Sequence, residues 1–189
     1  MAQIRPLDPV LLLVAAFSRY PDILDRGRAD LVEAFGPVVF SSLPYEFTQT
    51  KYYEATMGAD LKKHFLVFQN LVSGDSLAKI KIQTNEMEQA LAGAAAYPEP
   101  RPINLDPGFL TLGKFMLATT KDQGHRIYLR DGIFAEVTLR FEGGAFHPWP
   151  WTYADYRQPS VLAFMREARE LYRRRLQEVK SREAQRAGP

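Results

Sequence analysis

One dipeptide limits the fold of this chain more than any other feature. Asp131-Gly132 separates two runs of alternating residues within HRIYLRDGIFAEVTLRF, which spans residues 125–141. Both residues tolerate the positive φ angles that a type I′ turn requires at its two central positions. The pair therefore predicts a two-residue β-hairpin. This turn would fix three facing pairs across the hairpin: Leu129 with Phe134, Ile127 with Glu136, and His125 with Thr138.

Apolar spacing elsewhere predicts further strands and helices. The run PVLLLVAAF, over residues 9–17, has about half the length needed to span a bilayer, so we interpret it as a buried first strand. Helical spacing predicts one helix that ends near Gly36, a second over residues 76–91 and a long C-terminal helix over residues 161–179. The segment KIKIQ in the second helix also alternates like a strand, so both states remain open there.

The order of these elements predicts the fold class. PVVFSS and LKKHFLVFQNLV are expected to form strands between the first two helices, and KFMLATT forms a strand after them. We therefore predict an α+β protein: a single domain with ferredoxin-like β-α-β-β-α-β order, extended by a β-hairpin and a long C-terminal helix. A chain of 189 residues fits one domain, which we place at residues 1–180, with residues 181–189 as a disordered tail.

The residue types that are missing exclude several kinds of site. The chain has no cysteine, which rules out disulfides, thiolate metal ligands and a cysteine nucleophile. This composition is compatible with a reducing cytoplasm, and we predict a cytoplasmic protein with no membrane association. No Gly-x-x-x-x-Gly-Lys-Ser/Thr loop occurs, so the phosphate cradle of P-loop nucleotide hydrolases is absent from the sequence.

The hairpin carries the candidate catalytic residues. In the expected register Glu136 shares a strand face with apolar residues, and burial of its carboxylate would cost several kcal/mol unless the group is paired or protonated. His125 lies diagonally across the hairpin. Because a carboxylate can orient an imidazole that acts as a general base, we predict His125 and Glu136 as an acid–base pair. A purely structural ion pair between Glu136 and Arg126 or Lys121 is the alternative.

Nearby polar residues are predicted to hold a ligand. The candidates are Lys121 and Arg126 for an anionic group, with Asp122, Asp106 and Tyr53 as further contacts. Asp106 precedes Pro107-Gly108, so its simplest interpretation is a turn former. Lys81 and Glu88 are expected on the solvated surface of a helix. A metal site from His125, Glu136 and Asp122 lacks a typical ligand spacing, so we predict no metal ligand and leave any cofactor unknown.

A set of ordered motifs resembles one prokaryotic family. The motifs are FGPVVFSS, FTQTKYYEATMG, IKIQTNEMEQ, NLDPGFL, LATTKDQGHRIYLRDGIFAEVTL and WTYADYR. Together they are similar to the family known as domain of unknown function 4416, from about Val10 to Leu176. Ala154 departs from the proline expected in that family's Trp-Thr-Tyr-Pro-Asp-Tyr run. The resemblance implies no activity, because the family has no established function or catalytic residues.

Some members of that family carry the loose label GTP-binding, which the residues of this chain do not support. The guanine-binding element of GTPases is Asn/Thr-Lys-x-Asp after an apolar strand, whereas Thr120, Lys121 and Asp122 are contiguous. Asp106-Pro107-Gly108 is likewise one residue short of the Asp-x-x-Gly that contacts the γ-phosphate. Together with the missing phosphate loop, these spacings argue against a GTPase of the usual kind.

Two functions of different classes remain. The first is a protein that binds or acts on a small anionic ligand, nucleotide-like molecules included, in a cleft near residues 119–138; whether it is an enzyme is left open. The alternative is a non-catalytic interaction protein, a homo-oligomer or an RNA-associated factor. It would use the aromatic segment 147–157 and the C-terminal helix, where residues 160–189 carry eight Lys/Arg against four Glu.

Overall fold

An antiparallel sheet forms the middle of the protein. The computed structural model describes residues 3, 7–94 and 97–187, and within these residues the sheet has nine strands. They are β1 (Val10–Ser18), β2 (Val38–Ser41), β3 (Tyr45–Glu46), β4 (Lys62–Val72), β5 (Asn104–Leu110), β6 (Lys114–Thr119), β7 (Ile127–Arg130), β8 (Ile133–Glu142) and β9 (Ala145–Pro148). Their order is β2-β4-β1-β5-β6-β8-β7, with β3 beside β4 and β9 beside β8.

Helices cover both faces of this sheet. They are α1 (Pro21–Phe35), the short α2 (Glu54–Met57), α3 (Leu77–Ala94) and α4 (Pro159–Ala187), with a 3-10 turn at Ala154–Arg157. Leu12 and Val14 of β1 pack with α1 and α3, whereas Leu11 and Leu13 pack with α4. Because helices cover both faces of the sheet, the sequence of β1 is an unbroken apolar run and does not alternate between apolar and polar residues.

The predicted α+β class and single domain are confirmed. The strands β2-β4-β1-β5 lie side by side, and each is antiparallel to its neighbours. Since β3 and α2 interrupt the expected series, the ferredoxin-like name stays a prediction. The helix α4 continues to Ala187 through most of the segment 181–189, for which the sequence predicts disorder, and residues 188 and 189 lie outside the described residues.

The hairpin has the predicted turn but another register. Asp131 and Gly132 have φ angles of 53° and 75°, and Arg130 lies opposite Ile133, as a two-residue turn requires. An irregularity between Tyr128 and Arg130 then shifts the ladder. The observed pairs are Tyr128 with Phe134 and Ile127 with Ala135, so the three facing pairs predicted from the sequence are wrong. A β-bulge, which puts an extra residue into one strand, explains this shift.

Asp106 lies inside a strand, and the predicted turn at Asp106-Pro107-Gly108 is wrong. Pro107 pairs with Val14 of β1, whereas pairing with β6 begins only at Gly108. A proline is tolerated there because β5 has no partner on the β6 side of that stretch. The two strands therefore diverge over residues 104–107 of β5, before Gly108. Among the described helices, none is long and apolar enough to cross a membrane.

Candidate functional site

A cavity of about 510 Å³ lies at the point where β5 and β6 diverge. These strands pair only through 108–110 and 115–117, so their remaining residues open away from each other. Buried polar side chains, here called the floor, include Lys63, Lys81, Asn104, Glu136, Asp155 and Tyr156. Exposed side chains, here called the rim, include Thr50, Tyr52, Thr120, Lys121, Gln123 and Tyr153. The volume suits a small molecule.

Cations outnumber carboxylates in the cavity wall. The lining includes five Lys/Arg side chains and three Asp/Glu side chains. The cations are Lys63, Lys81, Arg101, Lys121 and Arg126, and the carboxylates are Asp106, Glu136 and Asp155. Four of these cations lie within salt-bridge distance of a carboxylate, whereas Lys121 does not among the described residues.

Two ion pairs, each with a buried lysine, contribute charge to the floor. The Nζ atom of Lys63 on β4 lies 2.6 Å from Oδ2 of Asp155, which belongs to the 3-10 turn before α4. The Nζ atom of Lys81 on α3 lies 3.0 Å from Oδ1 of Asp106 and also donates to the carbonyl of Leu105. Both lysines are less than 5% exposed. Each buried ammonium therefore has a carboxylate as its ionic partner.

Opposing charges set the pKa values of the acidic groups near Lys81. Burial alone would raise the pKa of Asp106, but Lys81 and Lys63 outweigh it and hold that pKa below its usual range. For Glu88 on α3 burial dominates and raises the pKa, although Lys81 and Arg101 act in the opposite direction. The helix surface predicted for Lys81 and Glu88 is thus wrong, since both side chains are buried.

Arg126 connects the hairpin to the rim. Its Nε donates to Oε2 of Glu136 at 2.9 Å, one Nη donates to the carbonyl of Lys121 at 3.0 Å, and the other donates to the hydroxyl of Tyr153 at 2.7 Å. The Arg126 side chain is only 2% exposed. Three of its five N–H groups therefore have hydrogen-bond partners, and the other two have none among the described residues.

His125 meets Glu136 but stands outside the cavity. Its Nε2 lies 3.2 Å from Oε2 of Glu136, the same oxygen that Arg126 contacts, while the hydroxyl of Thr138 lies 3.3 Å from the other oxygen. The imidazole stacks with Trp151 and is not among the side chains that line the cavity. The sequence left two kinds of partner open for Glu136, the imidazole of His125 and a cation such as Arg126. The Glu136 carboxylate contacts both side chains.

The other predicted ligand contacts separate into two groups. Lys121, Asp106 and Tyr53 line the cavity, whereas Asp122 is exposed and stands outside it. The Nζ atom of Lys121 lies 4.0 Å from the ring centre of Tyr52, and contact with this ammonium lowers the Tyr52 pKa. Burial raises the pKa of Tyr53 well above its usual range. Within the described residues no three His, Asp or Glu side chains are grouped to hold a metal ion.

Three polar atoms of the cavity lining lack a hydrogen-bond partner among the described residues. They are Nδ2 of Asn104, the hydroxyl of Tyr156 and Oε1 of Gln49. Asn104 and Tyr156 are each 1% exposed. An unpaired buried polar group costs about 1–3 kcal/mol. All three atoms lie in the lining of the same cavity, so a molecule that enters it can supply hydrogen-bond partners for them.

Sequence reasoning missed several residues of this site: Lys63, Lys81, Arg101, Asn104, Asp155 and Tyr156. A weak signal exists for Lys63, because it shares the strand face of Phe65 and Val67, where alternation predicts an apolar residue. No local pattern identifies Lys81 or Asp155, since their partners are distant in the chain. Such residues become recognisable only once the topology brings β4, α3 and the 3-10 turn together.

The fold and cavity define a class: a single-domain α+β protein with one sheet and a polar cavity of cationic character at the gap between two of its strands. The sequence matches the family described as Domain of unknown function (DUF4416) over residues 8–172. The chain belongs to that family, as its motifs predict. Neither the curated proteins nor the solved structures yielded a match to it.

Proposed function

We propose that the cavity between β5 and β6 binds a small anionic ligand, with Lys121 and Arg126 as its charged contacts. The excess of cations in the lining carries this proposal. Among the described residues Lys121 has no carboxylate within salt-bridge distance, and its ammonium lies at the exposed rim. It is therefore available to an incoming anion, and the two remaining N–H groups of Arg126 can add directional contacts.

The buried part of the hairpin supports this proposal by holding Arg126 in place. Glu136 fixes the guanidinium by its Nε contact, and His125 contacts Glu136 from outside the cavity. In this proposal both residues position Arg126. Their acid–base role stays a prediction, as does enzymatic activity itself, because Glu136 already has three polar neighbours and His125 does not line the cavity.

Ligand-induced thermal stabilisation tests the proposal. A panel of anions that includes inorganic phosphate, ribose 5-phosphate, citrate and nucleoside monophosphates should contain members that raise the melting temperature of the wild-type protein. Lys121→Ala should weaken that effect, and added NaCl should weaken it further because the contact lies at an exposed rim.

Lys114→Ala is the matched control for this test. Lys114 is an exposed lysine at the opposite end of β6 and does not line the cavity. Its loss should leave the stabilisation by anions unchanged. Equal losses in the Lys121 and Lys114 variants would mean that the anions act on the general charge of the protein, and the proposal would be wrong.

A second candidate, the interaction protein, rests on the aromatic segment 147–157. Trp151 and Tyr153 are 37% and 42% exposed. However, the indole N–H of Trp151 donates to the carbonyl of Val137, and its ring stacks with Trp149 and His125. This anchoring favours a packing role for Trp151. RNA association, self-association and cytoplasmic localisation all stay predictions, and Trp151→Ala should abolish RNA binding at low salt if the second candidate is right.

A further inference from the structure

The ion pairs of the floor determine which part of a ligand can lie there. Lys63 pairs with Asp155, and Lys81 pairs with Asp106. Each of these pairs has no net charge. An anion placed between these pairs would face the carboxylates of Asp155 and Asp106, so this part of the floor favours a neutral group. The charge of an anionic ligand belongs at Lys121, which has no such carboxylate partner in the described part of the chain.

The floor nevertheless requires hydrogen-bond partners. Arg101 donates to Oδ1 of Asn104, which fixes the orientation of that amide, and Nδ2 of Asn104 has no hydrogen-bond partner among the described residues. The hydroxyl of Tyr156 lacks a partner among the described residues, and the Gln49 amide oxygen is a third free group. Asn104 and Tyr156 thus offer donors, and Gln49 offers an acceptor. A neutral group that satisfies all three must carry acceptors for Asn104 and Tyr156 and a donor for Gln49.

Aromatic side chains of the lining favour a flat group. Phe47, Tyr53 and Tyr156 all line the cavity, and the ring centres of Phe47 and Tyr53 lie 5.9 Å apart. Rings of this kind offer faces and edges to a planar partner. A neutral, planar group with a mixed donor and acceptor edge is a heterocycle of the kind found in nucleobases.

We propose that the floor binds a planar heterocycle through Asn104 and Tyr156, while Lys121 and Arg126 bind an anionic group attached to that heterocycle. This inference rests on the proposed anion binding and adds the chemical class of the ligand. The anionic group is a phosphate or a carboxylate, since either fits an ammonium and a guanidinium. In this proposal the contacts with the heterocycle distinguish one anionic ligand from another, and the anionic group supplies the electrostatic attraction to Lys121 and Arg126.

Calorimetric titration of the full chain tests this class. The probes are UMP, CMP, AMP, GMP, orotate, ribose 5-phosphate and inorganic phosphate. At least one heterocyclic anion should bind tenfold or more tightly than ribose 5-phosphate and phosphate. Preference for a nucleoside monophosphate would identify a phosphate-bearing ligand, and preference for orotate would identify a carboxylate-bearing one.

Tyr156→Phe is the most informative variant. It removes a hydroxyl that has no hydrogen-bond partner among the described residues, so the melting temperature of the free protein should not fall. The affinity for the preferred heterocyclic anion should fall about three- to tenfold, the effect of one lost hydrogen bond, while binding of ribose 5-phosphate stays unchanged.

Tyr172→Phe is the matched control. Its hydroxyl donates to the carbonyl of Pro9 at 2.9 Å, and the residue belongs to α4 and does not line the cavity. This variant should lose thermal stability and keep the affinity for every probe. The two phenylalanine variants therefore separate the loss of a stabilising hydrogen bond within the protein from the loss of a ligand contact.

Two other outcomes have different meanings. If ribose 5-phosphate or phosphate binds as tightly as every heterocyclic probe, and Tyr156→Phe changes nothing, the heterocycle inference is overturned and anion binding stands. If no probe shows binding that Lys121→Ala weakens, the proposed function is overturned and the inference falls with it.

Discussion

The ammonium of Lys63 lies 2.6 Å from Oδ2 of Asp155, and the two side chains are only 4% and 3% exposed. Four aromatic rings, those of Phe17, Phe47, Phe65 and Tyr156, lie within 5.7 Å of the same ammonium. The pair links β4 to the 3-10 turn that precedes α4. It therefore joins the sheet to the C-terminal helix at the floor of the cavity.

Removal of one partner of this pair should be strongly destabilising. Asp155→Ala leaves the Lys63 ammonium buried without a counter-charge, and we expect the free energy of unfolding to fall by about 3–5 kcal/mol. The double variant Lys63→Met/Asp155→Val should lose less, because it removes both charges together. Urea denaturation followed by circular dichroism measures each change.

The exposed pair between Lys62 and Glu46 provides the control for this prediction. Its atoms lie 3.6 Å apart, and the two side chains are 56% and 62% exposed. Glu46→Ala should change the free energy of unfolding by less than about 1 kcal/mol. A loss of similar size for Glu46→Ala and Asp155→Ala would contradict the importance of burial for the Lys63 pair.

Much of the fold is predictable because its signals are local. The apolar run of β1, the helical spacing of α1 and α4 and the dipeptide Asp131-Gly132 each act over neighbouring residues. The register of the hairpin could not be predicted in this way. One extra residue near Leu129 shifts every pair farther from the turn, and no residue type in that stretch is a signal for a β-bulge.

The site is only partly predictable for a related reason. Arg126, His125 and Glu136 come together across a hairpin, so their meeting can be inferred from one turn. Lys81 and Asp106 are separated by 25 residues, and a charged residue on a helix is ordinarily interpreted as solvated. Burial of the Lys81 ammonium is stabilised by a carboxylate that is distant in sequence but adjacent in the fold. Helical periodicity gives no information about such a partner.

Glu88 predicts a specific dependence of stability on pH. Its pKa is raised in the folded protein from an ordinary value of about 4.5, chiefly because it is buried. Between these two values the folded state holds a proton that the unfolded state has released, so stability falls as pH rises through this window. Glu88→Gln should remove that part of the dependence, as urea denaturation at a series of pH values would measure.

Asp106 should act in the opposite direction at lower pH. Its folded-state pKa is held below the usual value of 3.8 by Lys81 and Lys63, which outweigh the effect of burial. Its contribution to stability is therefore present above pH 3.8 and is lost as the pH falls toward the lowered value. Asp106→Asn should reduce the acid sensitivity in that range. If Glu88→Gln also removes it, the two acids are coupled and the separate assignments are wrong.

A β-carbon at Gly132 should destabilise the hairpin turn. An added Cβ would meet no atom within 4 Å, so the effect of Gly132→Ala is purely one of backbone conformation at φ 75°. We expect a loss of about 1–2 kcal/mol in the free energy of unfolding. Gly124→Ala is the control, because Gly124 also has open space but no positive φ, and its effect should be neutral or slightly stabilising. Equal losses would exclude the turn as the cause.

The contact between Lys121 and Tyr52 provides a direct test of the rim. Hydrogen bonding to the Lys121 ammonium and its positive charge stabilise the phenolate of Tyr52 and lower its pKa below 10.0. Ultraviolet difference titration should therefore show one tyrosine that ionises early in the wild-type protein, and Tyr52→Phe should remove that component. In Lys121→Ala the pKa of Tyr52 should return toward its ordinary value, whereas Lys114→Ala should leave it lowered.

A saturating anion that binds Lys121 should also raise the Tyr52 pKa, because it neutralises the positive charge that stabilises the phenolate. If the early component survives in Lys121→Ala, the ammonium does not lie at the rim as described, and the anion site would have to be sought elsewhere in the cavity.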